Sequence, residues 1–489
     1  MKKRLIFALC IVAAMAAVFV IYRSRGDYIN RLVNKYQPQG AVVALIEDGE
    51  IRDIRCYGYS NVEDNARVNE DTMFQVASIS KSFTAYAVMQ LVDEGKLNLD
   101  APVNTYLKSY KLQSGSFSAN EVTLRTLLSH TSGISGIYKE YKIDEMVDNL
   151  TALKNADIKV ETKPGTVYSY SEFLGYGICQ TLVEDVSGMP FHEYMKKEVL
   201  PKMGLNKTNY MISSAEDGEI AIPYAGFGKA ANYNIYPESA SAGVVTSGRE
   251  LAEFTMALMN YYKSSDREMF KPYDVSKEKN VGYGLGIQTI ETTDGRTVYW
   301  HNGTLTGCNA QFAFEPKSGK GMAIITNSDR AFYMTYEFMN KWGQKELGVP
   351  LKVGEVSRLE NISLTTVEVI AVLLVALLVN ILFRISDKSL VPLEKGKRIL
   401  RTCVFIGCAV MFMAFYILCV YSDFPGNFFF GLDNYYVFTF LPPVVHYVFF
   451  ELLCVIPIMI YRLGFTRKKI APKAPEKTPE KVMLYLPLP

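Results

Sequence analysis

Ser78 and Lys81 are the residues of this chain whose types and spacing most directly suggest chemistry. They lie three positions apart, just before an apolar-periodic run, Phe83–Glu94, that predicts a helix. Residues at i and i+3 share a helix face, so the hydroxyl and the amine can touch. The free N–H groups at a helix N-terminus also favour negative charge. The segment therefore offers a nucleophile, a base and half of an oxyanion hole, or simply an N-cap before an ordinary helix.

Two later segments offer the partners that such a nucleophile needs. A Pro164-Gly165 turn precedes Tyr170 on a predicted loop, where a phenol could serve as an acid or a base. A late predicted strand contains a glycine that permits close approach between backbone and ligand. The candidate binding residues of this strand are His301, Asn302, Gly303 and Thr304.

Strands are predicted at both ends of the domain that holds these residues, and helices in its middle. Ala41–Ile51 predicts two strands joined by a turn at Asp48-Gly49, and strands return near residue 298. This order predicts an α+β fold, in which one antiparallel sheet is built from both ends around a helical insert. The predicted helices are Phe83–Glu94, Val122–Leu128, Phe173–Ser187, Pro190–Lys202 and Arg249–Tyr262, and the late strands are Val298–His301, Ala310–Glu315 and Gly321–Asn327.

Six segments, in this order and spacing, resemble the serine β-lactamase and penicillin-binding superfamily. The likeness is to its class C-like branch of D-alanyl-D-alanine carboxypeptidases and esterases, the peptidase S12 type, and covers roughly residues 30–345. Ser-x-x-Lys is shared widely in the superfamily, and the Tyr and His-x-Gly elements point to this branch. The segments are Phe74–Thr84 with Gln90–Asp100, Val122–Leu128 with His130–Gly133, Pro164–Ser171, Ala242–Ser247, Gly282–Gly286 and His301–Gly303.

The resemblance implies a role for each site residue and no cofactor. Ser78 is the acylated nucleophile, Lys81 accepts or shuttles its proton, and Tyr170 is the shared acid and base. An ammonium with a pKa of about 10.4 is a poor base, so we expect the site to lower the pKa values of both Lys81 and Tyr170. The N–H groups of Ser78 and Thr304 form the oxyanion hole, and His301-Asn302-Gly303 replaces the Lys-Thr-Gly of β-lactamases.

Glu172 departs from the pattern of that branch. The usual loop is Tyr-x-Asn, whereas this chain has Tyr170-Ser171-Glu172. Either the Glu172 carboxylate turns to solvent and has little effect, or it binds a substrate amine or a particular amide. In both cases the exchange makes hydrolysis of β-lactams less expected.

Apolar segments on both sides of this domain predict a membrane protein. Residues 1–25 form a signal anchor or a cleaved signal peptide, since Lys2–Arg4 precede the apolar run Leu5–Tyr22. Residues 26–350 form the hydrolase-like domain, 351–363 a linker, 364–461 three transmembrane helices and 462–489 a disordered tail. The predicted spans are Leu364–Phe383, Thr402–Tyr421 and Tyr436–Tyr461.

The charge distribution predicts how these spans are oriented. Basic residues crowd the loop 384–401 and the tail, whereas the loop 422–435 has none. The positive-inside rule therefore places both chain ends in the cytoplasm and the hydrolase-like domain outside a bacterial-type cell membrane. The lipid bilayer is then one partner, and a small-molecule or peptide substrate the other.

Composition excludes several other classes. A formal net charge of +2 over 489 residues gives no basis for nucleic-acid binding, and four widely separated histidines disfavour a metal site. The domain holds Cys56, Cys179 and Cys308, an odd number that argues against dependence on disulfides.

Three functional interpretations remain open. The first is an extracytoplasmic serine hydrolase, either a D,D-peptidase or an enzyme that cleaves N-acyl-D-amino-acid amides. The latter variant follows from the architecture, because a class C-like domain followed by three spans resembles prodrug-activating peptidases of natural-product pathways. The second is a penicillin-type sensor whose acylated Ser78 does not turn over. The third, a degenerate scaffold, is disfavoured because Ser78, Lys81 and Tyr170 are intact.

Overall fold

The computed structural model describes residues 26–137, 141, 143–170, 173–210, 220–225, 228–351, 353, 370, 390–421 and 465–467. The described residues fall into two compact units, one that includes residues 26–353 and one that includes 390–418 and 465–467. The predicted N-terminal anchor, Glu172, and the predicted spans Leu364–Phe383 and Tyr436–Tyr461 lie outside the described residues, apart from residue 370.

An eight-stranded antiparallel sheet dominates the larger unit. The first and last of its long strands pair directly, with Ala41 opposite Thr326 and Ile46 opposite Gly321. The prediction of one sheet built from both ends of the domain is therefore confirmed. In sheet order the strands are β12 Val281–Tyr283, β13 Gln288–Glu291, β14 Thr297–Leu305, β15 Cys308–Glu315, β16 Lys320–Thr326, β1 Gly40–Glu47, β2 Glu50–Asn61 and β3 Ala66–Arg67.

Three smaller sheets lie in the segments between the long strands. The first joins β4 Met73–Gln75, β11 Val244–Ser247 and β8 Asn209–Tyr210; the second joins β5 Gln113–Ser114, β7 Lys159–Val160 and β6 Ile134–Ser135; the third joins β9 Tyr224–Ala225 and β10 Lys229–Ala230.

Helices fill the middle of the chain, close to where the sequence predicts them. One prediction differs: Pro190–Lys202 is not a single α-helix, because a π-helical turn, Met195–Val199, and a 3-10 turn, Leu200–Met203, follow Tyr194. Pro201 has no N–H for an α-helical hydrogen bond, which suits the tighter turn. The helices are α1 Tyr28–Tyr36, α2 Ser80–Asp93, α3 Leu124–Leu128, α4 Asn149–Asn155, α5 Leu174–Ser187, α6 Phe191–Tyr194, α7 Gly248–Ser264 and α8 Phe332–Trp342.

Two apolar cores lie on opposite faces of the large sheet. Neighbouring residues of β14 belong to different cores, since Tyr299 packs with residues of α2, α5 and α7 and Trp300 with residues of α1 and α8. Because side chains alternate along a strand, Asn302 and Thr304 face the same side as Trp300, and His301 faces the side of Tyr299.

Helices α1 and α8 contact each other on the Trp300 side of the sheet. Glu337 of α8 accepts hydrogen bonds from Lys35 Nζ at 2.6 Å and from Tyr36 Oη at 2.8 Å. The rings of Tyr28 and Phe338 lie 6.0 Å apart, and the Val353 N–H donates to Asn340 at 3.0 Å. The two ends of the larger unit therefore meet along α8.

The smaller unit contains the helix α9, Lys395–Tyr421, except for its last three residues, and two short antiparallel strands, β17 Leu390–Pro392 and β18 Phe465–Arg467. Helix α9 covers the predicted span Thr402–Tyr421. Among the helices that the structure describes, none combines the length and apolar character needed to cross a bilayer. Strand β18 falls in the tail predicted as disordered; Phe465-Thr466 has the β-propensity for such a pairing, unlike the Pro- and Lys-rich remainder.

Candidate active site

Ser78 lies in a 3-10 turn, Ala77–Ile79, between strand β4 and helix α2. Ala77 is buried and has a φ of +49°, a left-handed conformation that is uncommon for a residue other than glycine. The Ser80 hydroxyl closes the turn, because it donates to the Ala77 carbonyl at 2.7 Å and accepts from the Val244 N–H at 3.0 Å. Ser78 is thereby presented, half-buried, at the start of the helix.

Lys81 connects the nucleophile to the loop before β11. Its side chain is only 1% exposed, and Nζ donates to Ser78 Oγ at 3.2 Å and to the Ser241 carbonyl at 3.3 Å. Nζ also lies 5.1 Å from the ring centre of Tyr170 and 5.5 Å from that of Tyr176, within cation–π range. The predicted contact between Ser78 and Lys81 is present, and Tyr170 lies beside it.

The loop that carries Tyr170 rests on the segment His130–Gly133. The Gly165 N–H donates to the Thr131 carbonyl at 2.7 Å, and the Ser169 N–H donates to the His130 carbonyl at 2.9 Å. The buried His130 ring lies 4.3 Å from the Tyr170 ring, centre to centre, and burial holds its pKa well below the ordinary value. These contacts make His130 a structural support for Tyr170.

Strand β14 borders the site through a glycine. A Cβ at Gly303 would lie 1.9 Å from the Val76 carbonyl oxygen, so only glycine lets β14 approach the Ser78 turn this closely. Thr304 Oγ1 donates to Asn309 Oδ1 at 3.1 Å, which fixes its side chain on the strand. The role of the Ser78 and Thr304 N–H groups as an oxyanion hole stays a prediction.

His301 is neutral and faces away from the Asn302 side of β14. Its Nδ1 lies 2.6 Å from the Asn302 carbonyl oxygen, which can only accept, so Nδ1 carries the proton and Nε2 accepts from Tyr283 Oη at 3.0 Å. Burial lowers the pKa of His301 to about 3, and the positive charge of Lys81 acts in the same direction. The ring is 1% exposed on the face of β14 that packs against α2, and its role in substrate binding stays a prediction.

Residues of the site line an open cavity of ≈ 370 Å³ next to Ser78. Of the predicted residues, Ser78, Tyr170, Asn302 and Thr304 line it, and the buried Lys81 donates to Ser78. Its described lining consists of Ser78, Tyr168, Tyr170, Gln288, Asn302, Thr304 and Phe332, all uncharged side chains.

Glu238 is a residue that sequence reasoning missed. Its side chain is 3% exposed and accepts hydrogen bonds from the Ser241 N–H at 3.0 Å and the Ser241 hydroxyl at 2.7 Å. Burial raises the pKa of the Glu238 carboxyl above its ordinary value, and the bonds from Ser241 and the charge of Lys81 offset this only in part. No local sequence motif marks Glu238, because it is linked to Lys81 through Ser241, which lies 160 residues after Lys81 in the chain.

Comparisons with known proteins agree with this geometry. The profile of the family described as Beta-lactamase matches residues 26–342. Protein flp of Staphylococcus aureus is 23% identical over 304 residues, which are 59% of this chain and 59% of that protein. The chain thus matches about three fifths of the length of this curated relative.

Solved structures show the same fold. A penicillin-binding protein homologue from Pyrococcus abyssi, described as octameric, is 27% identical with a TM-score of 0.57, covering 65% of this chain and 77% of its own. A D-stereospecific amidohydrolase from a Streptomyces species is 24% identical with a TM-score of 0.52, covering 61% of this chain and 93% of its own. The second likeness concerns the fold alone.

Proposed function

Because the chain belongs to the β-lactamase family, we propose that it is a membrane-bound serine hydrolase that works outside the cytoplasm through an acyl-enzyme on Ser78. Its substrates are peptides, amides or esters that contain D-amino acids. The observation that carries this proposal is the 3.2 Å contact between Ser78 Oγ and Lys81 Nζ, with the Tyr170 ring beside the same amine and Tyr170 lining the same cavity as Ser78.

The reaction needs only groups that this chain supplies. Ser78 Oγ attacks the substrate carbonyl carbon while its proton passes to Lys81 or Tyr170, and the N–H groups of Ser78 and Thr304 stabilise the oxyanion. The same proton then reaches the leaving amine or alcohol as its bond to the carbonyl carbon breaks. Water hydrolyses the Ser78 ester, which releases the acid and restores the hydroxyl.

Two considerations narrow the substrate and the location. This chain has Glu172 where the β-lactamase pattern has Asn, and a neutral His301 where it has Lys. We therefore propose that its substrates are open-chain amides and not β-lactams. The D-stereospecific amidohydrolase from a Streptomyces species has the same fold, an analogy that guides the choice of D-configured substrates. The basic residues of the loop 384–401 and of the tail support a location of the hydrolase-like domain outside the cytoplasm.

The decisive experiment measures the mass of Ser78-containing peptides and product release together. The full chain is incubated with N-acyl-D-amino-acid amides, D-Ala-D-Ala peptides and β-lactams, with Ser78→Ala as control. We expect a transient acyl adduct and turnover of a D-configured amide, both lost in Ser78→Ala. A stable adduct without turnover would instead favour the sensor, and neither adduct nor turnover would contradict both.

The location has a separate test that uses the exposed thiol of Cys56. A membrane-impermeant maleimide added to intact cells should label the chain, and Cys56→Ser should lose that label. Labelling that requires lysis of the cells would contradict an external domain.

A further inference from the structure

Gln288 and Asn302 form a pair of amide side chains on one wall of the cavity. Gln288 lies opposite Trp300 in the β13–β14 ladder, and its Nε2 donates to Asn302 Oδ1 at 3.0 Å. That bond uses one Gln288 N–H and one lone pair of Asn302. The Asn302 N–H groups and the Gln288 carbonyl oxygen remain as a donor and an acceptor side by side.

No cation of the described lining faces a ligand in this cavity. Its side chains are hydroxyls, phenols, amides and one phenyl ring. The Lys81 amine is 1% exposed and bonded to Ser78 and Ser241, and the His301 ring is 1% exposed, bonded to Tyr283 and in its neutral tautomer. A substrate carboxylate placed beside Gln288 would therefore lose water without gaining a positive partner there.

We propose, on the basis of the proposed function, that Gln288 and Asn302 recognise a neutral amide group of the substrate next to the scissile bond. An amide offers a carbonyl oxygen to the Asn302 N–H and an N–H to the Gln288 carbonyl. A carboxylate offers acceptors only, so one of its oxygens would face the Gln288 oxygen. The enzyme is then an amidase for internal or capped amides and not a carboxypeptidase.

Two substrates with the same scissile bond test this proposal. N-acetyl-D-phenylalanyl-D-alanine amide and the corresponding free acid differ only in the terminal group, and kcat/KM is measured from release of D-alanine amide or D-alanine by the full chain. We expect the amide to be preferred by roughly tenfold or more, as buried hydrogen-bonding sites reject groups that leave them unpaired. Equal rates, or preference for the acid, would overturn the recognition of a neutral amide.

Substitutions at Gln288 test whether this residue causes the preference for the amide substrate. Gln288→Met keeps the length and removes the amide, so the preference should fall towards unity; Gln288→Arg adds a planar cation and should favour the acid instead. Unchanged preference in both folded variants would overturn the assignment to Gln288. If the wild-type chain cleaves neither substrate and Ser78 stays unlabelled by a fluorophosphonate, that result would overturn the hydrolase function itself. It differs from a reversed preference, which would overturn only the recognition of a neutral amide.

Discussion

Lys81 depends on a carbonyl group 160 residues further along the chain. The Ser241 carbonyl accepts from its amine, and Glu238 holds Ser241 through both the N–H and the hydroxyl. Glu238 therefore acts as a positioning residue, which reaches Lys81 through Ser241 and through its charge. Substitutions at Glu238 and Tyr170 should distinguish a residue that positions Lys81 from a residue that takes part in proton transfer.

Glu238→Gln should lower kcat/KM by roughly ten- to a hundredfold, because small displacements of catalytic groups have effects of that size. An amide nitrogen would face a Ser241 donor and shift the carbonyl that orients Lys81. The pH profile of kcat/KM should also change, since the titrating carboxyl is gone. The control is Glu250→Gln, another buried carboxyl, which accepts from the Thr208 N–H; an identical pH profile in Glu238→Gln and wild type would contradict the role.

Tyr170→Phe should reduce turnover by roughly 10²–10⁴-fold, the usual contribution of a general acid or base. The phenol is 37% exposed, so its removal should leave the melting temperature unchanged. Tyr168→Phe removes a neighbouring hydroxyl from the same cavity and should keep most activity. Normal turnover in Tyr170→Phe would refute the assignment.

Helix α2 is the element on which the site is built, and it is fixed by close backbone contacts. Ser82 Oγ donates to the Gly286 carbonyl at 2.6 Å, and Thr84 Oγ1 donates to the Ala240 carbonyl at 2.7 Å. Gly286 has a φ of +67°, and a Cβ there would lie 2.5 Å from Ala85 Cβ and 2.8 Å from the Lys81 carbonyl oxygen. The turn before β13 thus contacts the helix at the level of Lys81.

Gly286→Ala should therefore destabilise the fold by about 1–2 kcal/mol from backbone strain alone, with a further cost from the overlap with α2. Gly95→Ala is a matched control, since Gly95 has a φ of +71° and open space around its Cβ. That control should cost about 1–2 kcal/mol. Urea unfolding of both variants measures the difference, and equal losses would show that contact with α2 is unimportant.

The elements and the central pair of the site could be predicted because their signals are local. Ser78 and Lys81 are neighbours on one turn, and Asp48-Gly49 has the residues of a tight hairpin, with φ of +54° and +83°. Three features could not be predicted from the sequence: the pairing of Gln288 with Asn302, the link from Glu238 to Lys81 and the orientation of His301. Each of these arises where distant segments pack, and no spacing within a segment encodes it.

Two histidines of the described residues are buried in neutral form, which makes the stability of the molecule depend on pH. His130 has a pKa well below 6.5 and His301 one of about 3, both because of burial. Between pH 6.5 and those values the unfolded chain binds protons that the folded chain does not. Stability attributable to these groups is therefore complete above pH 6.5 and is lost as the pH falls.

His130→Asn should reduce this dependence. Asn tolerates the left-handed backbone of residue 130, whose φ is +58°. The free energy of unfolding should fall between pH 6 and 5 by up to about 1.4 kcal/mol more per pH unit in the wild type than in the variant. Equal slopes would mean that His130 is protonated in the folded chain.

The meeting of α1 and α8 has a mechanical consequence. The Tyr28 ring lies against Phe338, and the Val353 N–H bonds to Asn340, so the first and the last described segments of the larger unit both adjoin one stretch of α8. A force applied to the chain at both of these segments would act on the contact between α1 and α8 and separate the two helices. The turn that holds Ser78 and the strand that holds Asn302 would carry little of the load.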